Sequence, residues 1–276
     1  MPKKINQIIG KNAGSVSIIL AGIHGNEKCG VQALRSVMLN REIENGRIFF
    51  GCGNPLAIKT NKRFVESDLN RIFKNDQQLS VKERTSYEYQ RAQFLKKYLK
   101  QADVLLDIHA STIPTPKPFV ICERNAKKIV PYLPIDLVVF GFDKIEPGGT
   151  DYYMNNIGKI GICLEAGYLS DPQSIKLAEE SIVAFLKTQK HINGKVVSRR
   201  QAYIQMYKKY YARTNSFTLT KSFNNFDIVE KGQVIGIDGQ IKIKANKKSL
   251  ILFAHNCQRI GAEAFLLGER KKALSG

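Results

Sequence analysis

At 276 residues the chain can bury one large core, or a medium and a small one. Its 43% hydrophobic and 24% charged residues are ordinary for a soluble fold, and no apolar run approaches the roughly 18–20 residues of a membrane span. The formal charge of +19 is carried by lysines in ones and twos, such as Lys96-Lys97 and Lys247-Lys248, with no basic block or DNA-reading motif. No nucleic-acid or membrane partner is therefore expected, although the field can draw a small anion toward a cleft. Cys29, Cys52, Cys122, Cys163 and Cys257 lack C-x-x-C spacing, and no apolar segment follows Lys3-Lys4. Both features predict a cytoplasmic protein with reduced thiols.

In chain order, Ser15–Ile23 is a nearly continuous apolar run and reads as a strand buried on both faces. A helix is expected from about Asn26, with Val31, Leu34 and Met38 on one side. Arg47–Gly53 reads as a second strand, ended by Pro55. Residues 81–101 carry the longest helical pattern, with Tyr87, Phe94, Leu95, Tyr98 and Leu99 as its inward stripe. Asp103–His109, Phe119–Cys122, Leu137–Phe140 and Ile160–Glu165 are further strands, and Ser174–Lys187 a further helix. Alternating strands and helices predict an α/β sheet, parallel in large part. The character changes after His191: residues 227–229, 233–237, 240–244 and 250–253 are short strand-like segments punctuated by glycine. The expected domains are a catalytic α/β domain over 1–194 and a small β-rich domain over 195–276.

Chemistry concentrates at strand ends. His24 and Glu27 follow the first strand, and His109 ends the third expected one, so all three can meet at one sheet edge. Two imidazoles and a carboxylate make a three-ligand zinc site with an open fourth position, the pattern of a hydrolytic centre; Mn²⁺, Co²⁺ or Fe²⁺ would suit the same donors. Asp107 shares a strand face with His109 and is expected to accept a ring N–H from a metal-binding histidine, His24 rather than its own neighbour. Glu165 ends an apolar strand, where a carboxylate is costly unless it belongs to a site. It reads as a general base, or else as a fourth ligand. Arg63, Asp68, Asn70 and Arg71 lie in a polar connection suited to gripping a carboxylate or an oxyanion.

The order of these motifs is Gly22-Ile23-His24-Gly25-Asn26-Glu27, then Asn54-Pro55, then Arg63 with Asp68-Leu69-Asn70-Arg71, then Asp107-Ile108-His109-Ala110-Ser111-Thr112, then Leu164-Glu165-Ala166-Gly167. It resembles the succinylglutamate desuccinylase/aspartoacylase family, a branch of the zinc carboxypeptidase-like hydrolases. The resemblance implies a three-layer α/β/α domain with a mixed sheet, so the parallel reading gives way, plus a C-terminal β domain. It also implies one Zn²⁺ per chain on His24, Glu27 and His109. Glu165 becomes the catalytic carboxylate, Arg63 the group that polarises the carbonyl, and Asn70 and Arg71 the holders of a substrate carboxylate. Asp68 would brace the loop and Asp107 would stand behind the metal ligands. The aspartoacylase branch reads a second carboxylate with an arginine upstream of the glutamate. The ungapped position here is Asn155, which cannot supply a charged fork, and Lys159 is the nearby cation.

The expected activity is hydrolysis of the amide in an N-acyl amino acid or similar small carboxylate-bearing substrate. A carboxypeptidase-type peptidase on the same metal centre is the alternative. The substrate is the expected partner, and homo-oligomerisation is left open.

Overall fold

The computed structural model describes residues 5–39, 41–112, 117–169 and 171–274. Chain contacts divide it into two units. The first comprises the chain up to Val138 together with Phe142–Gln201, and the second comprises Val139–Gly141 and the chain from Ala202 onward. The division thus follows Gln201 rather than residue 194. The reason is visible in the intervening stretch. The Gln201 side chain donates to the carbonyls of Val130 and Ile135, and the Arg199 N–H donates to Pro131, which ties 195–201 to the first unit.

The first unit holds the strands β1 (Asn6–Ile9), β2 (Asn12–Ala21), β3 (Asn45–Cys52), β4 (Val104–Ser111), β5 (Phe119–Cys122) and β7 (Ile160–Tyr168), and β6 (Leu137–Phe140) begins in it, its last two residues being counted with the second. They lie in the order β1-β3-β2-β4-β7-β5-β6. β3, β2, β4 and β7 run parallel, whereas β1 and β5 are antiparallel to their neighbours. The sheet is therefore mixed, and the four central strands carry the long apolar runs that a doubly covered sheet requires.

The helices are α1 (Lys28–Met38), α2 (Pro55–Thr60), α3 (Val81–Arg84), α4 (Tyr87–Leu99), α5 (Phe142–Ile145), α6 (Thr150–Asn156) and α7 (Pro172–Thr188). The single long helix expected over 81–101 is broken in two. Ser80 and Glu83 form a capping box on α3, and Ser86 starts α4 afresh by accepting the Tyr89 N–H at 3.2 Å. Its inward stripe also differs from expectation: Glu88, Arg91, Ala92, Leu95 and Leu99 are the buried positions. Leu95 and Leu99 join Ile18, Leu20, Leu105 and Met154 in one core, so α4 and α6 cover the strand face bearing the even positions of β2. β4 presents Leu105, Asp107 and His109 at alternate positions, which aims the two polar groups to that same face.

The second unit holds β8 (Ala202–Tyr211), β9 (Phe217–Leu219), β10 (Asp227–Val229), β11 (Val234–Asp238), β12 (Ile241–Lys244), β13 (Ser249–Leu252) and β14 (Glu263–Lys271). β8, β14, β13 and β10 pair antiparallel in that order, and β12, β11 and β9 form a second small sheet. Tyr210 stacks on Phe265 at 5.1 Å inside a core with Phe217, Val229 and Ile251. The β-rich expectation holds here. β8 escapes a hydropathy reading because Tyr, Lys and Gln occupy many of its positions, and β14 lies outside the expected segments although 264–267 is an apolar run.

The turn between β2 and α1 sets the site. A Cβ on Gly25 would lie 2.0 Å from the Ala57 carbonyl carbon, and the Gly25 N–H bonds to the Arg63 carbonyl at 3.1 Å. The crowding atom is backbone, so no side chain can yield. Gly25→Ala is expected to cost roughly 1–3 kcal/mol of stability, as overpacking does, measured by urea unfolding. If His24 is a metal donor, as the motif order implies, the same variant should also take up less metal in elemental analysis, because His24 moves with its neighbour.

Candidate metal centre

His24 and Glu27 lie in the turn beyond β2, and His109 lies near the carboxyl end of β4. All three are almost fully buried. One donor atom from each lies within 4.8 Å of the others. Both imidazoles turn Nδ1 toward Glu27: His24 Nδ1 is 2.7 Å from Oε1 and His109 Nδ1 is 3.1 Å from Oε2. The rings meet edge to face, with centroids 5.0 Å apart. The Ala110 N–H donates to Glu27 Oε2 at 3.1 Å and fixes the carboxylate further.

Each imidazole is held from behind by a second carboxylate. His24 Nε2 is 3.0 Å from Asp68 Oδ1, and His109 Nε2 is 3.2 Å from Asp107 Oδ2. Asp107 therefore braces its own strand neighbour and not His24, contrary to expectation. Residues two apart on β4 share a face, while His24 is reached first by the loop that Gly25 binds. Thr150, at the start of α6, donates its hydroxyl to the same Asp107 oxygen. Such carboxylate–imidazole pairs leave the opposite nitrogen as the donor atom and raise its basicity, which is the arrangement that supports metal binding.

The charges are mutually dependent. Burial raises the Glu27 carboxyl, but the His24 and His109 charges overcome that and hold it well below its usual range. Burial pulls the His24 imidazole down, and Glu27 and Asp68 more than offset this. His109 is likewise depressed by burial and lifted well above the ordinary imidazole value by Asp107 and Glu27. Asp68 is pushed up by burial and pulled further down by His24, with Arg63 and Arg71 adding to the fall. Two buried acids and a half-buried one around two imidazoles are a donor set that one divalent cation would satisfy, and the nitrogen and oxygen donors suit zinc.

Glu165 stands beside this cluster. Parallel pairing of β4 with β7 places Glu165 in register with His109. Burial pushes its carboxyl up to about 7, with Glu27 adding to the rise and His109 opposing it. Arg63 closes the other side: its Nη1 is 3.6 Å from Glu27 Oε1 and its Nε donates to Asp68 Oδ2 at 3.2 Å. Asp68 also caps the 3₁₀ turn Leu69–Arg71 by accepting the Asn70 N–H at 2.9 Å. Asn70 and Arg71 thus follow directly from a residue that touches His24.

Asn155 and Lys159 are not brought to this edge. Asn155 Oδ1 accepts from Gly161 N–H at 3.0 Å and Asn125 Nδ2 at 2.8 Å. The Lys159 ammonium donates to the Ala102 carbonyl. Both sit at the amino ends of β4 and β7. Glu165 is five strand residues beyond Ile160, roughly 16 Å at the usual rise. The reason is geometric: α6 runs away from the site, so counting back from Glu165 leads to the wrong end of the helix, whose first residue, Thr150, is the one that meets Asp107.

Glu88 was not foreseen. It is wholly buried on α4, where Oε1 accepts from Asn54 Nδ2 at 3.0 Å and Val65 N–H at 2.8 Å. Oε2 accepts from the N–H groups of Glu66 and Ser67 at 3.2 and 3.1 Å. One carboxylate therefore gathers three successive amides of the loop that carries Arg63 and Asp68. Its signal in the sequence is a glutamate on the inward stripe of a helix.

The catalytic-domain model of the succinylglutamate desuccinylase/aspartoacylase family matches residues 13–193. The chain belongs to this family. Among its relatives, an N-acyl-aromatic-L-amino acid amidohydrolase (carboxylate-forming) of Rattus norvegicus is 32% identical over 187 residues, covering 58% of this chain and 55% of that one. A succinylglutamate desuccinylase of Pseudomonas putida (strain GB-1) is 33% identical over 94 residues, covering 33% of this chain and 27% of its own. A probable aspartoacylase of Prochlorococcus marinus (strain MIT 9312) is 31% identical over 102 residues, covering 34% of each chain. The matched stretches thus span well under two thirds of these relatives. Among solved structures, the succinylglutamate desuccinylase of Vibrio cholerae superposes with a TM-score of 0.82 at 20% identity, over 96% of this chain and 85% of that one. This confirms the α/β fold with its β-rich C-terminal part. No helix among the described residues is long and apolar enough to cross a membrane.

Two predictions follow from the geometry. Glu88→Ala leaves three loop amides without their acceptor and should cost on the order of 3 kcal/mol in urea unfolding. It should also reduce binding at the centre, because Asp68 loses its fixed position. A cation that takes Glu27 and both Nδ1 atoms must displace the protons that the raised imidazoles retain. Zinc affinity, measured by chelator competition, should therefore increase as the pH rises above the ordinary imidazole value of about 6.5, with net proton release. A flat profile would contradict the assignment of His24 and His109 as ligands.

Proposed function

We propose that the protein is a zinc-dependent amidohydrolase that cleaves the amide of an N-acyl amino acid. The observation that supports this reading is the convergence of His24 and His109 Nδ1 on Glu27, with Glu165 in register beside His109 and Arg63 at the rim. His24, Glu27 and His109 would hold one Zn²⁺. A zinc ion in such a three-ligand site supplies Lewis acidity and lowers the pKa of a water to about 7.

The remaining work falls to side chains. Asn70 and Arg71 would anchor the substrate carboxylate, because they occupy the turn that Asp68 caps and so hold a fixed distance from the centre. Arg63 would donate to the amide oxygen as negative charge grows there, a role suited to a guanidinium fixed by Asp68 Oδ2 and partly open to solvent. Glu165 would take a proton from the attacking water and pass it to the departing nitrogen. A carboxyl raised to about 7 suits both halves of that transfer near neutral pH. Asp107 and Asp68 would keep the imidazoles in the tautomer that presents Nδ1. The family relatives named for N-acyl amino acid and succinylglutamate hydrolysis support the same bond type. Five cysteines without disulfides fit a reducing compartment such as the cytoplasm.

The decisive experiment is a hydrolysis screen of the zinc-loaded protein over N-acetyl, N-formyl and N-succinyl amino acids, with dipeptides alongside. Cleavage of N-acyl amino acids ahead of dipeptides is the expected result; preference for dipeptides would replace this reading with a peptidase. Glu165→Gln should retain zinc and lose roughly 10²–10⁴-fold in turnover. The base works deprotonated, so kcat/KM of the parent enzyme should fall as pH drops through about 7 or somewhat lower, since a nearby cation favours the carboxylate. That acidic limb should vanish in the residual activity of the variant.

A further inference from the structure

The segment Glu146-Pro147-Gly148-Gly149-Thr150-Asp151 has no part in the mechanism above, yet it lies against the carboxylate anchor. Gly148 makes the contact possible. Its φ is +114°, and a Cβ there would lie 2.7 Å from the Arg71 carbonyl oxygen. The Phe73 N–H completes the junction by donating to the Gly148 carbonyl at 3.0 Å. The segment is thereby pressed onto the Asn70–Arg71 turn, with Thr150 reaching Asp107 at its far end.

Two acids arrive with it. Glu146 Oε1 is 2.8 Å from Arg71 Nε, and its side chain is only 9% exposed against 30% for Arg71. Arg71 also donates through Nη1 to the Asn70 carbonyl at 3.0 Å. Asp151 follows on the same segment. Its Oδ1 and the Asn70 Oδ1 both border the space that a side chain on Gly149 would fill. The guanidinium that would meet the substrate therefore carries a fixed counter-ion already, with a second carboxylate beside its neighbour. A ligand bringing one carboxylate can share Arg71 with Glu146. A second carboxylate on the same ligand would face Glu146 or Asp151 at close range in a sheltered setting, where like charges repel strongly.

We propose that Glu146, supported by Asp151, makes the site selective for N-acyl amino acids with a single carboxylate and a neutral or cationic side chain, and selects against dicarboxylates. This rests on the amidohydrolase reading and adds a specificity-determining residue to it. Glu146 acts by charge at the anchor and takes no part in bond cleavage.

The test compares N-acetyl-L-methionine and N-acetyl-L-ornithine with N-acetyl-L-aspartate and N-succinyl-L-glutamate on the zinc-loaded parent, Glu146→Gln and Asp151→Asn. The parent should favour the first pair. Glu146→Gln should raise kcat/KM for N-acetyl-L-aspartate, with two carboxylates, and N-succinyl-L-glutamate, with three, relative to N-acetyl-L-methionine by about tenfold or more, chiefly through KM. Calorimetric binding of N-acetyl-L-methionine and N-acetyl-L-aspartate gives a readout that does not depend on turnover. It is made on Glu165→Gln and on the Glu165→Gln/Glu146→Gln double variant, and the affinity ratio should shift in the same direction. A parent that prefers dicarboxylates, or a ratio unmoved by Glu146→Gln in either assay, overturns the proposal. If no N-acyl amino acid is cleaved in any arm, the amidohydrolase reading fails, and the binding ratio alone decides the role of Glu146.

Discussion

The Glu27 carboxylate is the constraint on which the rest of the site depends. A buried carboxylate is costly unless compensated, and its two oxygens are divided between two imidazoles and a backbone amide. Those partners come from separate parts of the chain: the turn after β2 and the end of β4. Once Glu27 is placed, His24 and His109 must face one another, and their far nitrogens need acceptors of their own. Asp68 and Asp107 supply them. The cluster therefore demands acids from two further positions, and each demand is met by a different element of the fold.

Support for the site is layered. Glu88 on α4 fastens the amides of residues 65–67, Asp68 at the end of that run caps the Leu69–Arg71 turn, and the same Asp68 grips both His24 and Arg63. A polar loop of this length would otherwise sample many conformations, and an arginine on it would be poorly placed. Here Arg63 is held by Asp68, and the loop that carries both is fastened by the buried Glu88 of α4. Preorganisation of this kind is what lets a charged group stabilise a developing oxyanion without a reorganisation cost.

The centre is far richer in acids than the chain around it. A formal +19 spread over the whole sequence surrounds a site in which Glu27, Asp68, Asp107 and Glu165 outnumber its arginines. The surface field and the local field therefore do separate things. On the proposed reading the first would attract small anions from a distance, screened by salt, and the second would select among them at contact. Glu146 on Arg71 belongs to the second.

Much of this was legible in the chain. The apolar runs of β2, β4 and β7 mark themselves as central strands because a sheet covered on both faces leaves no polar positions. Strand ends carrying His and Glu stand out because polar groups are expensive there. The spaced order of those motifs sufficed to name the family and to single out the three side chains that meet in the buried cluster. Pairings were not legible. Whether Asp107 serves His24 or His109, whether Arg71 enters the site with a counter-ion, and whether a glutamate inside a helical stripe is a loop anchor all depend on which backbone segments lie within 3 Å of each other. The positions of Asn155 and Lys159 teach the same point: separation along the chain says little once a helix turns back on the strand that follows it. Local sequence determines which residues cannot be left in water or in oil. Only the packed fold decides which partner each of them finds, because a hydrogen bond is a property of two positions in space, and the chain records them one at a time.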